Sequence, residues 1–166
     1  HVPGVTSSGF APAAGRPIIR GLDNNRVRIQ ENGVAVMDVS AIGEDHGVPI
    51  DPLAAQRVEI LRGPATLRWG SQAIGGVVDA QNNRIPLPGT PQGLSGVIRG
   101  GFTGVDNGRE GAVIINGRHG SYAVHADMYK RTAEDYRTPD GKQRNSSLEM
   151  QGYAFGTSYI FDSGYI

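Results

Sequence analysis

The chain contains no cysteine. Disulfide frameworks, thiolate metal sites and cysteine nucleophiles are therefore excluded. It also lacks any apolar run near the ~18 residues that a membrane helix needs, so a helical membrane protein is excluded. A transmembrane β-barrel is not, because its strands need only about 10 residues of alternating polarity. An excess of charge of one sign is missing too: 16 Lys+Arg balance 16 Asp+Glu, and the balance holds in each half of the chain. That excludes a generally basic nucleic-acid binder and an acidic tail protein. Lysine is scarce, standing only at Lys130 and Lys142. The other cations are arginines, which keep their charge when buried and fork onto carboxylates, so internal ion pairs are expected. No signal peptide is visible and the first residue is His1 rather than Met, so a processed or trimmed N-terminus is expected.

Glycine is what the chain has in excess, at 25 of 166 residues, about twice the usual ~7%. Hydrophobic residues make up 38% and are evenly spread, which argues against disorder. The length suits one domain, or one domain with a piece of a second. The character of the sequence changes near residue 86. Short mixed segments precede it and long alternating runs follow. Between them Arg84 to Pro91 carries three prolines and is expected to be an extended linker.

The first part reads as α+β. Strands are expected at Pro17–Arg20, Arg26–Ile29, Val34–Met37, Arg57–Arg62 and Gly75–Ala80, with the Glu31-Asn32-Gly33 turn joining the second to the third. Asp38 to Val48 is expected to be a surface loop. Asp51-Pro52 reads as an N-cap followed by one short turn of helix at Leu53–Gln56, and Ala65–Trp69 as another short helix. The second part alternates with period two. Tyr122, Val124, Ala126 and Met128 share one face; Ser121, His125, Asp127 and Arg131 share the other. Leu94–Thr103 alternates too, Gly111–Asn116 does so less clearly, and the phase of Ser146–Phe161 is ambiguous after Gly152. Asp106-Asn107-Gly108 is a hairpin signal, Asn116–Gly120 reads as a compact turn, and Thr132–Asn145 as a long polar loop. Tight turns alternate with longer loops. A transmembrane barrel has this rhythm, and so does a soluble β-meander. Tyr165-Ile166 begins another strand, so a fragment of a longer chain is expected.

Arg16-Pro17-Ile18-Ile19-Arg20-Gly21, Arg26 to Ile29 and Glu31 to Val34 resemble the plug domain of TonB-dependent outer-membrane receptors. The string Val58-Glu59-Ile60-Leu61-Arg62-Gly63-Pro64-Ala65-Thr66, then Trp69-Gly70-Ser71 and Ile74-Gly75-Gly76-Val77-Val78, is a specific plug signature. The resemblance covers about residues 15–85. It implies a plug domain at 1–85, a linker at 86–92 and the first strands of an outer-membrane β-barrel at 93–166. The implied fold is therefore an α+β plug, a small mixed sheet with short helices, followed by antiparallel strands of an incomplete barrel. The implied function is import of a scarce nutrient, such as a metal ion, a metal–siderophore chelate or haem. The implied partners are the inner-membrane TonB complex, outer-membrane lipid and a small metal-containing ligand, with no nucleic acid. No resident cofactor is implied, since zinc or an iron chelate would be cargo. The stretch around Asp45-His46 before Ile50-Asp51-Pro52-Leu53 is most similar to the branch that includes zinc and haem uptake receptors. No TonB box is evident before Gly15. The alternative is a soluble β-rich module that binds a ligand or a protein.

Glu44, Asp45 and His46 stand together in a polar loop and combine carboxylate with imidazole, the usual zinc donors where cysteine is absent. Asp45 and His46 are the candidate metal ligands; the alternative is a solvated loop. His125 and Asp127 are candidate ligand-binding groups on the expected lumen face, or plain polar lining. Glu59, Arg62 and Arg68 are candidates for ion pairing between plug and barrel wall, or for pairing within the plug. Gly63, Gly70, Gly75 and Gly76 fit neither phosphate-loop spacing, and no nucleophile elbow or paired carboxylates point to an enzyme.

Overall fold

The computed structural model describes residues 2–8, 15–36, 47–48, 50 and 52–166. The chain divides into two compact units, 1–81 and 82–166. The first unit contains strands β1 (Val5–Ser7), β2 (Pro17–Ile19), β3 (Val27–Glu31), β4 (Val34–Ala35), β5 (Arg57–Leu61) and β6 (Gly76–Gln81). β1 and β2 form an antiparallel pair, while the main sheet runs β4-β3-β6-β5. Its centre is the parallel pair β3–β6, with antiparallel strands on either side. Val27, Ile29, Val77 and Ala80 are buried on this sheet together with Ile19 of β2.

The glycines of the signature have distinct jobs. Gly75 donates its N–H to the Arg26 carbonyl at 2.7 Å, and a Cβ there would stand 2.9 Å from both that oxygen and Leu22 Cβ. At Gly76 a Cβ would stand 2.6 Å from Ile19 Cδ1 and 2.9 Å from the Leu61 carbonyl. Only a residue without a side chain lets β6 enter the sheet so close to Ile19. Gly63 and Gly70 bracket a 3-10 helix, Pro64–Trp69, and both take φ of +84°. Arg28 reaches across from β3 to the Trp69 carbonyl at 2.9 Å and fixes that helix to the sheet.

The second unit is an antiparallel meander of β7 (Gly93–Thr103), β8 (Gly108–His119), β9 (Tyr122–Ala133), β12 (Leu148–Phe161) and β13 (Gly164–Tyr165), in sheet order β13-β12-β9-β8-β7. The up-and-down order matches the sequence expectation. A two-stranded ribbon, β10 (Arg137–Thr138) with β11 (Gly141–Lys142), lies in the long connection.

Five local expectations change. Leu53–Gln56 forms no helix; Ala55 N bonds to the Pro52 carbonyl in a single turn. Asn116–Gly120 is not a turn. β8 runs on to His119, because the ladder to β9 continues through Arg118↔Ala123 and His119↔Tyr122, leaving Gly120-Ser121 to make the reversal. The loop expected at Thr132–Asn145 starts later, since β9 extends to Ala133 through its pairing with Leu148, and the loop folds into the β10–β11 ribbon. Gly111–Asn116 is the middle of a 12-residue strand. The ambiguous run is one uninterrupted strand, β12, whose odd-numbered residues are all exposed. Met37, the last residue of the strand expected at Val34–Met37, lies outside the described residues; β4 covers Val34–Ala35.

Candidate functional site

Pairing across the meander puts side chains in rows, and the rows separate by chemistry. On one face Ile98, Val113, Met128 and Tyr153 stand side by side across four strands. Ile98 is 83% exposed and Tyr153 90%. Along β12 the same face presents Tyr153, Phe155, Thr157, Tyr159 and Phe161, all but Thr157 large and apolar or aromatic. Nine residues at ~3.3 Å each, tilted as barrel strands are, span on the order of 20 Å, close to the height of a lipid-facing apolar band. At the loop end the band gives way to Gln151, Glu149, Lys130 and Arg109, with Lys130 Nζ 3.3 Å from Glu149 Oε1. At the turn end Tyr122 and Tyr159 meet edge to face at 5.1 Å.

The opposite face carries a buried polar cluster on β8 and β9, set among the buried apolar side chains Ala112, Ile114, Ala123 and Ile160. Asn116, His125 and Gly156 form one row on β8, β9 and β12, beside Ser95 of β7. His125 is 1% exposed and Asp127 5%. The imidazole is held at both nitrogens. Nδ1 lies 2.8 Å from Asn116 Oδ1 and Nε2 lies 2.9 Å from Asp127 Oδ2. Asn83 Nδ2 donates to the same Asn116 oxygen at 3.0 Å, and Arg84 Nε stands 3.4 Å from Asp127 Oδ2. The structure thus brings His125 and Asp127 together, as their spacing on one strand face requires. Sequence reading missed Asn83, Arg84 and Asn116. Their polarity was visible, but the register that assembles them was not. Further toward the loop end, Arg131 Nε pairs with Glu110 Oε2 at 3.0 Å.

The connections at the loop end are bonded to each other. Glu134 N donates to the Asp106 carbonyl and Arg137 N to the Val105 carbonyl. Asp135 Oδ1 accepts the N–H groups of Ser146 and Ser147 at 2.9 and 3.0 Å. Asp106 accepts from Thr103 Oγ1 at 2.5 Å and from Gly108 N at 3.0 Å. The Thr103 bond is the main cause of an Asp106 carboxyl held below its ordinary range.

Of the remaining sequence candidates, Glu44, Asp45 and His46 lie outside the described residues. Glu59 pairs with Arg57 at 2.7 Å and accepts from Gln81 Nε2 at 3.0 Å. Arg62 donates to the Pro3 carbonyl at 2.7 Å. The Arg68 guanidinium stands 5.8 Å from the centroid of the Trp69 ring. All of these partners belong to the first unit. Among the described residues, no group of three or more His, Cys, Asp or Glu side chains is placed to hold a metal ion.

Residues 1–77 match the family model described as the TonB-dependent Receptor Plug Domain. A hemin receptor of Yersinia pestis is 36% identical over 79 residues, which are 47% of this chain and 11% of that protein. Among solved structures, the copper transporter OprC superposes with a TM-score of 0.78 at 17% identity, covering 96% of this chain and 24% of that one. The FrpB iron transporter of Neisseria meningitidis (F5-1 variant) superposes with a TM-score of 0.74 at 16% identity, covering 98% and 26%. The chain therefore spans about a tenth of the curated relative and about a quarter of each solved structure.

Proposed function

With a TonB-dependent receptor plug domain as its N-terminal unit, the chain is, we propose, the plug and the opening wall strands of an outer-membrane receptor that imports a small metal-containing ligand. The observation that carries this reading is a matched plug followed in the chain by a meander with an exposed apolar band on one face and a buried polar cluster on the other. The cargo is a metal ion, a metal–siderophore chelate or haem, and the hemin receptor similarity makes haem the first probe to use. The TonB complex of the inner membrane supplies the energy, and outer-membrane lipid covers the face that carries Ile98, Met128 and Tyr153. A soluble binding module would leave that apolar face in water, which soluble monomers rarely do over so large a patch. Transport rather than catalysis is the activity, and no resident cofactor is required.

Two groups of residues enter this reading as proposals from their chemistry. His46, with Glu44 or Asp45, offers imidazole and carboxylate to an arriving cation, with other ligands supplied by the rest of the receptor. His125 and Asp127 line the polar face of the wall.

The test is haem, ferric-siderophore and zinc uptake by the full-length receptor in cells with and without TonB. Uptake of one of these that disappears without TonB is expected. Absence of both binding and uptake for all three would overturn the reading. His46→Ala should weaken zinc binding if zinc is the cargo, and the wild-type affinity should fall below about pH 6.5 as imidazole takes a proton.

A further inference from the structure

Residues 82–92 join β6 to β7 and contain Pro86, Pro88 and Pro91 but no strand. Such a composition ordinarily gives a free semi-rigid spacer. Here the segment is fastened to the meander along its length. Asn83 is bonded to Asn116, and Arg84 pairs with Asp127. The Arg84 carbonyl rests on Gly156, where a Cβ would otherwise stand. Pro86 is among the fully buried side chains. Arg118 donates to the carbonyls of Pro88 and Thr90 at 2.6 and 2.9 Å. The Gln92 amide both accepts from and donates to the Gly120 backbone, at 3.0 and 3.1 Å.

We propose that residues 82–92 are a wall-bound anchor at which displacement of the plug stops. Asn116, His125, Asp127 and Gly156 form its seat. This rests on the reading of the chain as a TonB-dependent receptor, in which pulling reaches the plug from its N-terminal side. A load peeling the first unit runs through Gln81 and then meets the bonds of 82–92 to the meander, one of them charge-assisted. Asn82 to Ile85 thereby move with the wall and not with the plug, to which the sequence boundary at residue 85 assigns them. His125 is a positioning residue. It orients Asn116 and Asp127, which bond Asn83 and Arg84.

The experiment pulls the full-length receptor, embedded in lipid vesicles, from its N-terminus in a force microscope without any ligand. In the wild type, peeling should end at the length that corresponds to Gln81. In Gly156→Ala the added methyl overlaps the Arg84 carbonyl. The end point should then lengthen by the 11 residues of 82–92, roughly 36–40 Å of extended chain. Amide hydrogens of 82–92 should also exchange at least tenfold faster, with those of β8 and β9 unchanged. The double variant Asn83→Ala/Arg118→Gln leaves Gly156 and its strand intact and should give the same lengthening if Gly156→Ala does not assemble. A wild type that peels to Gln92, or variants that stop where the wild type stops, would overturn the anchor. Because peeling is read without cargo, it can fail while uptake stands, and uptake can fail while the anchor stands.

Discussion

Asp79 Oδ1 accepts the backbone N–H of Gly33 at 3.0 Å, so a side chain of the central strand β6 holds the turn of the neighbouring β3–β4 hairpin. Its other oxygen accepts from Gln81 Nε2 at 3.2 Å, which links it to Glu59 and Arg57 through the same amide. Asp79 is 6% exposed. Asp79→Ala removes the acceptor and should destabilise the plug by about 1–3 kcal/mol. Asp79→Asn, which keeps one oxygen, should cost less. Faster hydrogen exchange at Gly33 and a lower urea midpoint of the first unit are the expected results. Unchanged exchange at Gly33 would show that this bond does not hold the turn.

Two glycine substitutions separate backbone strain from collision. At Gly63 a Cβ meets nothing within 4 Å, but φ is +84° and ψ is −162°, a region reserved almost entirely for glycine. Gly63→Ala should therefore cost on the order of 1–3 kcal/mol from the backbone alone. Gly76→Ala adds collisions with Ile19 and the Leu61 carbonyl and should cost clearly more. Thermal unfolding of both variants measures the difference. Equal losses would count against the packing account of Gly76.

The apolar row predicts a depth-dependent penalty for charge. Val124→Arg, opposite Thr157, lies mid-band and should disfavour assembly into vesicles by about 2–4 kcal/mol. Thr132→Arg lies on the same face of β9 at its polar end and should cost about 0–1 kcal/mol. Folding yield into lipid vesicles, with heat-modifiable gel mobility as the readout, checks this. Equal yields for both variants would remove the lipid assignment of this face.

The Thr103 hydroxyl holds the Asp106 carboxyl below its ordinary value of about 3.9. A depressed carboxylate contributes stability that is present above the unfolded value and lost as pH falls through the folded one. The 104–107 turn should therefore stay closed through neutral and mildly acidic pH and loosen only below about pH 4. Thr103→Val should raise the Asp106 titration midpoint, measured by carboxyl carbon NMR. A midpoint that does not move would exclude the hydroxyl as the cause.

The β elements of the plug were legible because their glycines, the Asn-Gly turn and the short β-branched runs all point the same way. The faces of β9 were legible because alternation alone fixes them. What the sequence hid was pairing at a distance. Asn116 reads locally as the start of a turn, and only its place opposite His125 makes it a strand residue. Arg84 reads as linker, and only its carbonyl against Gly156 and its guanidinium near Asp127 reveal the bonded segment. Leu53–Gln56 has a helix-start sequence, but it makes a turn and no helix as the chain passes into β5.

The row that carries Asn116, His125 and Gly156 has a genetic consequence. Side chains alternate between the two faces, so one inserted residue in β8, β9 or β12 turns every later side chain of that strand to the other face. Asn116 would change places with Ile115, or Asp127 with Met128. Length changes inside these strands should therefore survive selection in steps of two codons, whereas the 134–147 connection can gain or lose single codons with the flanking ladders kept in phase.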